Sequence, residues 1–511
     1  MRKIFIKILT FIVSAAIVMT PINAVAVEGS MGYEGGISVE DTIKKGEYIY
    51  SEMLFITGVP IKLTGDLTIK KTDKNDVVTS TYTYKLENKE KNITLNRVVI
   101  YVTTREVKPN GQVTETTKLS RVPTEVINIS GTTYRLNSAS YTQSMITDPK
   151  AAIKYHTGEF SEKKVYSIGT GTANSDTVTV TISGRTYAYD QYWSSAETQK
   201  LNIMVEFDKT SGESQSKWGG SAEVIVSSAT RRQIDYAENE PYQISFEGGY
   251  VQKSWKESTL DYIARFPEFD KNGLPTDYVK TYSETGSLST PIELTRLMVP
   301  NIKHLNGFWA EEPISILFGL EIIPGTGETY KTGKYLTRRE FVAMLINAIN
   351  EIPVDPDVRT TTSTARKTSS KKAPEISPFK DIGPGDLYYD EIKTAYQKGI
   401  TNGNGNGKFG PNEYITKAEA IKMIVSALGL ENLAPYPSTP TPFTDNDIIP
   451  AYARNAVTVA NTLGIIEPDQ RGAFNPNNRL TNEDTAVLIY DLINYMGDEI
   501  IKDYRDRIME F

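Results

Sequence analysis

The chain has 511 residues, with 56 Lys and Arg against 63 Asp and Glu and a formal net charge of −7. A mildly acidic balance excludes nucleic acid or an anionic membrane as partners held by a broad basic field, and the length predicts about three domains. Cysteine is absent and only His156 and His304 are histidines. Disulfides and thiolate sites are thereby excluded, and a Ser-His-Asp triad or histidine-rich zinc site is hard to build; no catalytic centre, metal or cofactor is expected.

Residues 1–26 read as a secretory signal peptide. Basic Arg2, Lys3 and Lys7 precede an apolar run from Ile8 to Met19, and Ala24-Val25-Ala26 supplies a small-residue cleavage site. The run is too short to span a membrane, and no later stretch approaches 18 apolar residues. A leader at 27–44 follows. The C-terminal end is charged and amphipathic rather than a hydrophobic sorting tail, so export with retention by another device is the expectation.

Residues 45–290 alternate runs of Thr, Val, Ile and Tyr with Gly, Asn, Asp and Ser breaks, the pattern of strands. Residues 67–70, 79–86, 98–102, 177–182 and 222–226 read as strands, and Lys108-Pro109-Asn110-Gly111-Gln112 as a hairpin turn. Many strands with few helical stretches predict one or two β-sandwich domains, with a weak boundary signal at Arg121-Val122-Pro123. One catalytic and two ligand-loop lookalikes fail on context. Asn239-Glu240-Pro241 matches a glycosidase acid/base tripeptide but lacks alternating helices and a second placed carboxylate. Gly169-Thr170-Gly171-Thr172 lacks the lysine and helix of a phosphate loop. The run from Asn402 to Gly407 carries neutral amides where a calcium loop needs carboxylates.

Between residues 299 and 496 one pattern occurs three times. Leu336-Thr337-Arg338-Arg339-Glu340, Ile415-Thr416-Lys417-Ala418-Glu419 and Leu480-Thr481-Asn482-Glu483-Asp484 align on their threonines. Seven residues before each threonine stands an aromatic, Tyr330, Phe409 or Phe474, and 28 or 29 before it an apolar residue, Trp309, Leu387 or Tyr452. An aliphatic (Ile314, Ile392, Val457) and a Gly-Ile turn (Gly399-Ile400, Gly464-Ile465) follow at fixed offsets, with Glu321-Ile322 in the first copy. Such self-similarity marks a repeat architecture. Thr-x-x-Glu or Asp ahead of an apolar helical run is a capping box, so Thr337, Glu340, Thr416, Glu419, Thr481 and Asp484 read as structural helix caps.

These residues resemble the S-layer homology family. The second copy supplies Phe379-Lys380-Asp381-Ile382, Phe409-Gly410-Pro411 and 415–419; the third supplies Phe443-Thr444-Asp445, Phe474-Asn475-Pro476 and 480–484. The first is the most degenerate, with Trp309-Ala310 and the closest threonine-arginine motif but no Phe-x-Pro. The resemblance covers repeat one (292–352), repeat two (378–433) and repeat three (442–497); the polar, apolar-poor stretch 353–377 reads from its composition as a flexible linker, and 498–511 as a charged C-terminal helix. The resemblance implies a mostly α-helical module with pseudo-threefold arrangement, behind the β-rich N-terminal part of a multidomain chain.

The resemblance also implies a function: non-covalent anchoring to the wall of a Gram-positive-type bacterium by grooves that bind a pyruvylated secondary cell-wall polysaccharide attached to peptidoglycan. Six residues carry over as polysaccharide-binding, Trp309, Arg338, Asp381, Lys417, Asp445 and Tyr452. The first helical position is usually exposed and disfavours a cation, so Arg338 and Lys417 there point to a bound anion. Asn482 has no charge. Trp309 and Tyr452 read as core residues in preference to sugar-stacking platforms, with one ring face lining a groove, Leu387 as packing, and Asp381 and Asp445 as helix caps or ligand contacts. The whole reads as a non-catalytic surface or S-layer-like protein capable of lateral self-association. The alternative is a wall-anchored enzyme or carbohydrate-binding protein whose active part is the β region.

Overall fold

The computed structural model describes residues 36–40, 47–74, 76–169, 175–210, 216–238, 248–271, 273–349, 377–435 and 440–504. The signal peptide, most of the leader, nearly all of the 353–377 linker, Asn239-Glu240-Pro241, Thr170 to Thr172 and the helix beyond residue 504 lie outside them.

Alternation of inward and outward residues dominates the first half. The strands are β1 (Gly36–Glu40), β2 (Glu47–Leu54), β3 (Ile61–Lys74), β4 (Val77–Asn88), β5 (Ile93–Val107), β6 (Val113–Leu119), β7 (Thr124–Ile129), β8 (Thr132–Pro149), β9 (Lys154–Ile168), β10 (Thr177–Asp190), β11 (Ser194–Lys209), β12 (Ser216–Ala237), β13 (Gly249–Phe269), β14 (Pro275–Ser289) and β15 (Glu293–Arg296). In β4, Val78, Ser80, Tyr82, Tyr84 and Leu86 are buried while the residues between them are more open, the period of two that fixes register. At Lys108–Gln112 the expected hairpin forms: Gly111 takes a positive φ of 86°, and the Lys108 amide donates to the Gln112 carbonyl at 2.7 Å.

All described strands join one antiparallel sheet, ordered β1-β2-β3-β4-β5-β6-β8-β9-β10-β11-β12-β13-β14. β6 and β7 share one lane, because both pair with β5 and β8. Arg121-Val122-Pro123 breaks that lane, so no domain boundary falls there. The two layers expected of sandwich domains come from a single sheet that rolls over on itself. Phe55, after β2, meets Tyr262 and Phe266 of β13 with ring centroids 5.5 and 6.1 Å apart. The Ser258 hydroxyl on β13 donates to the Ser38 carbonyl on β1 at 2.9 Å.

Charged groups also meet inside the roll. Arg97 on β5 forks onto Glu52 of β2 at 2.9 and 3.0 Å and reaches Glu125 of β7 at 2.9 Å. Tyr166 donates to Glu125 at 3.0 Å, and Lys164 lies 3.6 Å from it. Burial alone would raise the Glu125 pKa, but Arg97 and Lys164 hold it down to about 2.

The second half is helical: α1 (Glu311–Gly319), α2 (Arg338–Ile349), α3 (Tyr389–Gln397), α4 (Lys417–Leu428), α5 (Arg454–Thr462), α6 (Asn482–Asn494), a π-turn at Tyr495–Glu499 and α7 (Ile500–Asp503). Each repeat contributes a shorter helix and a longer inner one. Three backbone hydrogen bonds close a ring where the inner helices begin: Leu336 donates to Leu480, Leu480 to Ile415, and Ile415 to Leu336, at 2.9–3.1 Å. A second ring runs from Arg338 to Glu413, Lys417 to Asn478 and Asn482 to Lys334, at 2.8–2.9 Å. These rings are the pseudo-threefold axis.

At the other end the inner helices meet the roll. The last carbonyls of a helix lack intrahelical partners, and two hairpin loops of the sheet supply them. The indole of Trp193 donates to Ala348 of α2 at 2.8 Å, and the Ala152 amide to Ala427 of α4 at 2.9 Å. Ser194 donates to Met496 after α6 at 2.6 Å. Ala151, Ala152, Ile153, Tyr189 and Trp193 share one buried apolar cluster with the helices. Sheet and helices are therefore continuous through their cores.

Candidate polymer-binding grooves between the repeats

The capping boxes build the rim of each groove. The carboxylates of Glu340, Glu419 and Asp484 accept the Thr337, Thr416 and Thr481 amides at 2.9, 3.0 and 3.0 Å, and each threonine hydroxyl accepts the return amide at 3.3–3.4 Å. The box orients an acidic side chain at a helix N-terminus, where its charge is favourable. The threefold rings then bring the residue after the preceding repeat's threonine against that carboxylate.

In the first groove this residue is Arg338. It is 2% exposed, so the expected open position is instead an inter-repeat bridge. Its Nη1 lies 2.6 Å from Glu419, its Nε donates to the Phe409 carbonyl at 3.0 Å, and its guanidinium sits 5.3 Å from the Phe409 ring centroid. These partners compensate the buried charge. Tyr452 of repeat three completes the groove. Burial and the Glu419 carboxylate raise its pKa, against a hydrogen bond to Thr416 and the charge of Arg338.

The second groove repeats the plan with weaker parts. The ammonium of Lys417 sits 4.9 Å from the Phe474 ring centroid. Burial lowers its pKa against the pull of Asp469, Asp484 and Asp445. α1, which Trp309 precedes, packs on α6 as α5, which Tyr452 precedes, packs on α4.

The third groove lacks a cation at the equivalent position: the Asn482 side chain donates to the Lys331 carbonyl at 2.8 Å. Lys334 supplies the charge instead, 2.8 Å from Glu340. Burial would raise the Glu340 pKa, but Lys334 and the Thr337 amide and hydroxyl outweigh it and hold it low. A cleft of 300 Å³ lies here, lined by Tyr330, Lys331, Lys334, Glu340 and Asn482 among others. Reasoning from the aligned position missed Lys334; its signal was a basic residue three before the threonine in the copy whose partner lacks one.

Three readings of the sequence change. Trp309 is 62% exposed, Tyr452 54% and Leu387 62%. They stand ahead of the outer helices, on the surface rather than in the core. Asp381 caps no helix: its carboxylate accepts the amides of Phe409 and Gly410, both at 2.8 Å. Asp445 does the same for Phe474 and Asn475 at 2.8 and 2.7 Å. Two consecutive amides suit a bidentate acceptor, so both aspartates brace the loop that carries the groove's buried ring. Burial raises the Asp381 pKa, and these amides more than reverse it.

The S-layer homology domain family matches residues 301–342, 378–421 and 442–486. An amylopullulanase of Thermoanaerobacterium thermosulfurigenes is 30% identical over 194 residues, 37% of this chain and 9% of that protein. An endoglucanase of Bacillus sp. (strain KSM-635) is 32% identical over 187 residues, 36% of this chain and 18% of its own length. A surface-layer 125 kDa protein of Lysinibacillus sphaericus is 26% identical over 199 residues, 37% and 15% of the two chains. The chain thus spans less than a fifth of each of these relatives. The enzymes' similarity falls in the repeat region, away from the sheet.

Proposed function

From the premise that residues 301–486 carry three S-layer homology domains, on an exported, wall-anchored surface protein, we propose that the inter-repeat grooves hold a pyruvylated secondary wall polysaccharide. The β roll is then a non-catalytic outward part of the molecule. One observation carries the reading: exposed Tyr452 stands beside Thr416 at the rim of one groove, while the partly buried ammonium of Lys417 lies over the Phe474 ring in the next. An aromatic face packs on a sugar ring, and the Lys417 ammonium at a helix N-terminus meets a carboxylate, while Arg338 holds the repeats together through Glu419. A non-catalytic roll is supported by a 700 Å³ cleft across β11 to β14. Its three carboxylates each have a partner, Glu223 with Arg265 at 3.4 Å, Asp261 with the Thr285 hydroxyl at 2.5 Å and Glu284 with Lys62 at 3.8 Å.

The test uses the full chain and purified wall sacculi, native or with the pyruvyl groups removed by mild acid. Trp309→Ala and Tyr452→Ala should each reduce co-sedimentation while leaving the melting temperature within about 1 °C, since exposed side chains carry little packing. Native sacculi should retain more protein than depyruvylated ones. Undiminished binding by both variants would remove the grooves from the function, and equal retention by both wall preparations would remove the pyruvyl group.

A further inference from the structure

The end of the sheet at β14 is unlike its other parts. β14 runs for 15 residues and pairs with β13 along one side. Among the described residues no backbone partner lies along its other side. Tyr278 is 75% exposed and Val279 68%. A long open edge presents alternate N–H and C=O groups ready to pair, and folded proteins normally blunt it.

We infer that β14 pairs antiparallel with β14 of a second copy of this chain, across a two-fold axis at Tyr282. Backbone geometry restricts the choice. Along an edge, only every second residue points its N–H and C=O outward. Two identical strands can therefore oppose residues only when these are an even number of positions apart. Lys280 and Glu284 are four apart and qualify; Lys280 and Asp277, three apart, do not.

The axis that sets Lys280 against Glu284 passes through Tyr282. That residue is also the midpoint of Pro275–Ser289, so all 15 residues overlap. Lys280 and Glu284 then face each other twice, and Tyr282 meets its own copy. Tyr278 lies opposite Gly286, where an aromatic covers a residue with no side chain. On the other face, Val279 meets Thr285 and Thr281 meets Ser283, pairs of the small and β-branched kind that sheets favour. An edge lysine ordinarily repels further strands; in this register it has an acid to meet. Lys280 already leans over the Tyr282 ring at 5.1 Å, on the face the pair would use. Within the protomer Glu284 lies 3.8 Å from Lys62, in an exposed contact.

Sedimentation velocity of the full chain over a wide concentration range provides the test, with circular dichroism melts to verify folding. Wild type should pass from monomer to dimer. Lys280→Glu and Glu284→Lys should each weaken the dimer by roughly tenfold or more, because two attractive pairs become repulsive. The double variant K280E/E284K should recover it. Hydrogen exchange should slow for amides within 276–288 as the dimer forms. A monomer at every concentration, a dimer indifferent to both single changes, or a double variant as weak as the singles would each overturn the proposal.

Discussion

At the single-residue level, the position after each threonine separates building from recognition. Thr416→Ala should lower stability by roughly 1 kcal/mol, because it removes the acceptor of a helix-start amide. Lys417→Ala should cost less, since a cation at a helix start is itself unfavourable, and its contact with Phe474 is half-exposed. Its effect belongs in wall binding, and should shrink as salt screens it. Arg338→Ala should destabilise more than Lys417→Ala, because it strips a partner from Glu419 in a buried bridge. Melting curves and sacculus-binding isotherms at low and high salt, for all three variants, check the order. A lysine change that unfolds the module and spares binding would make Lys417 structural. The threonines and acids were legible because a capping box is local in sequence. The burial of Arg338 was not, since its partners Phe409 and Glu419 lie 71 and 81 residues away.

Elements show the same division between local and distant. Strands were readable from alternation, and the turn at Gly111 from its residues. How the sheet closes was not, because hairpins fix neighbours and say nothing of which strands face each other across a roll. Arg97 illustrates the point. It occupies a core-facing place in the series Ile93, Leu95, Arg97, Val99, Tyr101, and its acids come from β2 and β7. The pH response follows from that cluster. Glu125 titrates near 2 in the folded chain against an ordinary 4.5. Its contribution is complete above pH 4.5 and is lost as pH falls toward 2. The melting temperature should therefore drop along that limb. In Glu125→Gln the limb should be shallower, while stability at neutral pH falls by roughly 3–5 kcal/mol because Arg97 and Lys164 lose a buried partner. A pH series of melts on both chains measures this, and an unchanged acid limb would place the acid sensitivity elsewhere. Asp491 acts with the opposite sign: burial and Glu467 raise it to about 6, so its contribution is present in acid and lost as pH rises through that value.

For the whole molecule, the two ends of the inner helices divide the work. Their N-termini form the grooves and their C-termini rest on the roll, about 18 Å away for a 12-residue helix. Grooves and sheet thus occupy opposite ends of one rigid stand, so that a polymer held as proposed would give the roll a fixed direction from the wall. The repeats alone gave no sign of this, because the docking residues sit in loops of the sheet, far from any repeat. It also alters how the protein should be tested: a separated C-terminal half would expose the carbonyls of Ala348, Ala427 and Met496 and uncover an apolar surface, so its failure to bind would be uninformative. Trp193 is the main rivet, 2% exposed and bonded to Ala348. In wild type, strand and helix bands in an infrared melt should disappear at the same temperature. Trp193→Ala should cost roughly 3–5 kcal/mol by leaving a cavity and an unmet helix carbonyl, and should separate the two transitions, with the helices melting first. If the wild-type bands already melt apart, or the variant still loses both together at the original temperature, the halves are merely neighbours and the direction of the roll is not set by the anchor.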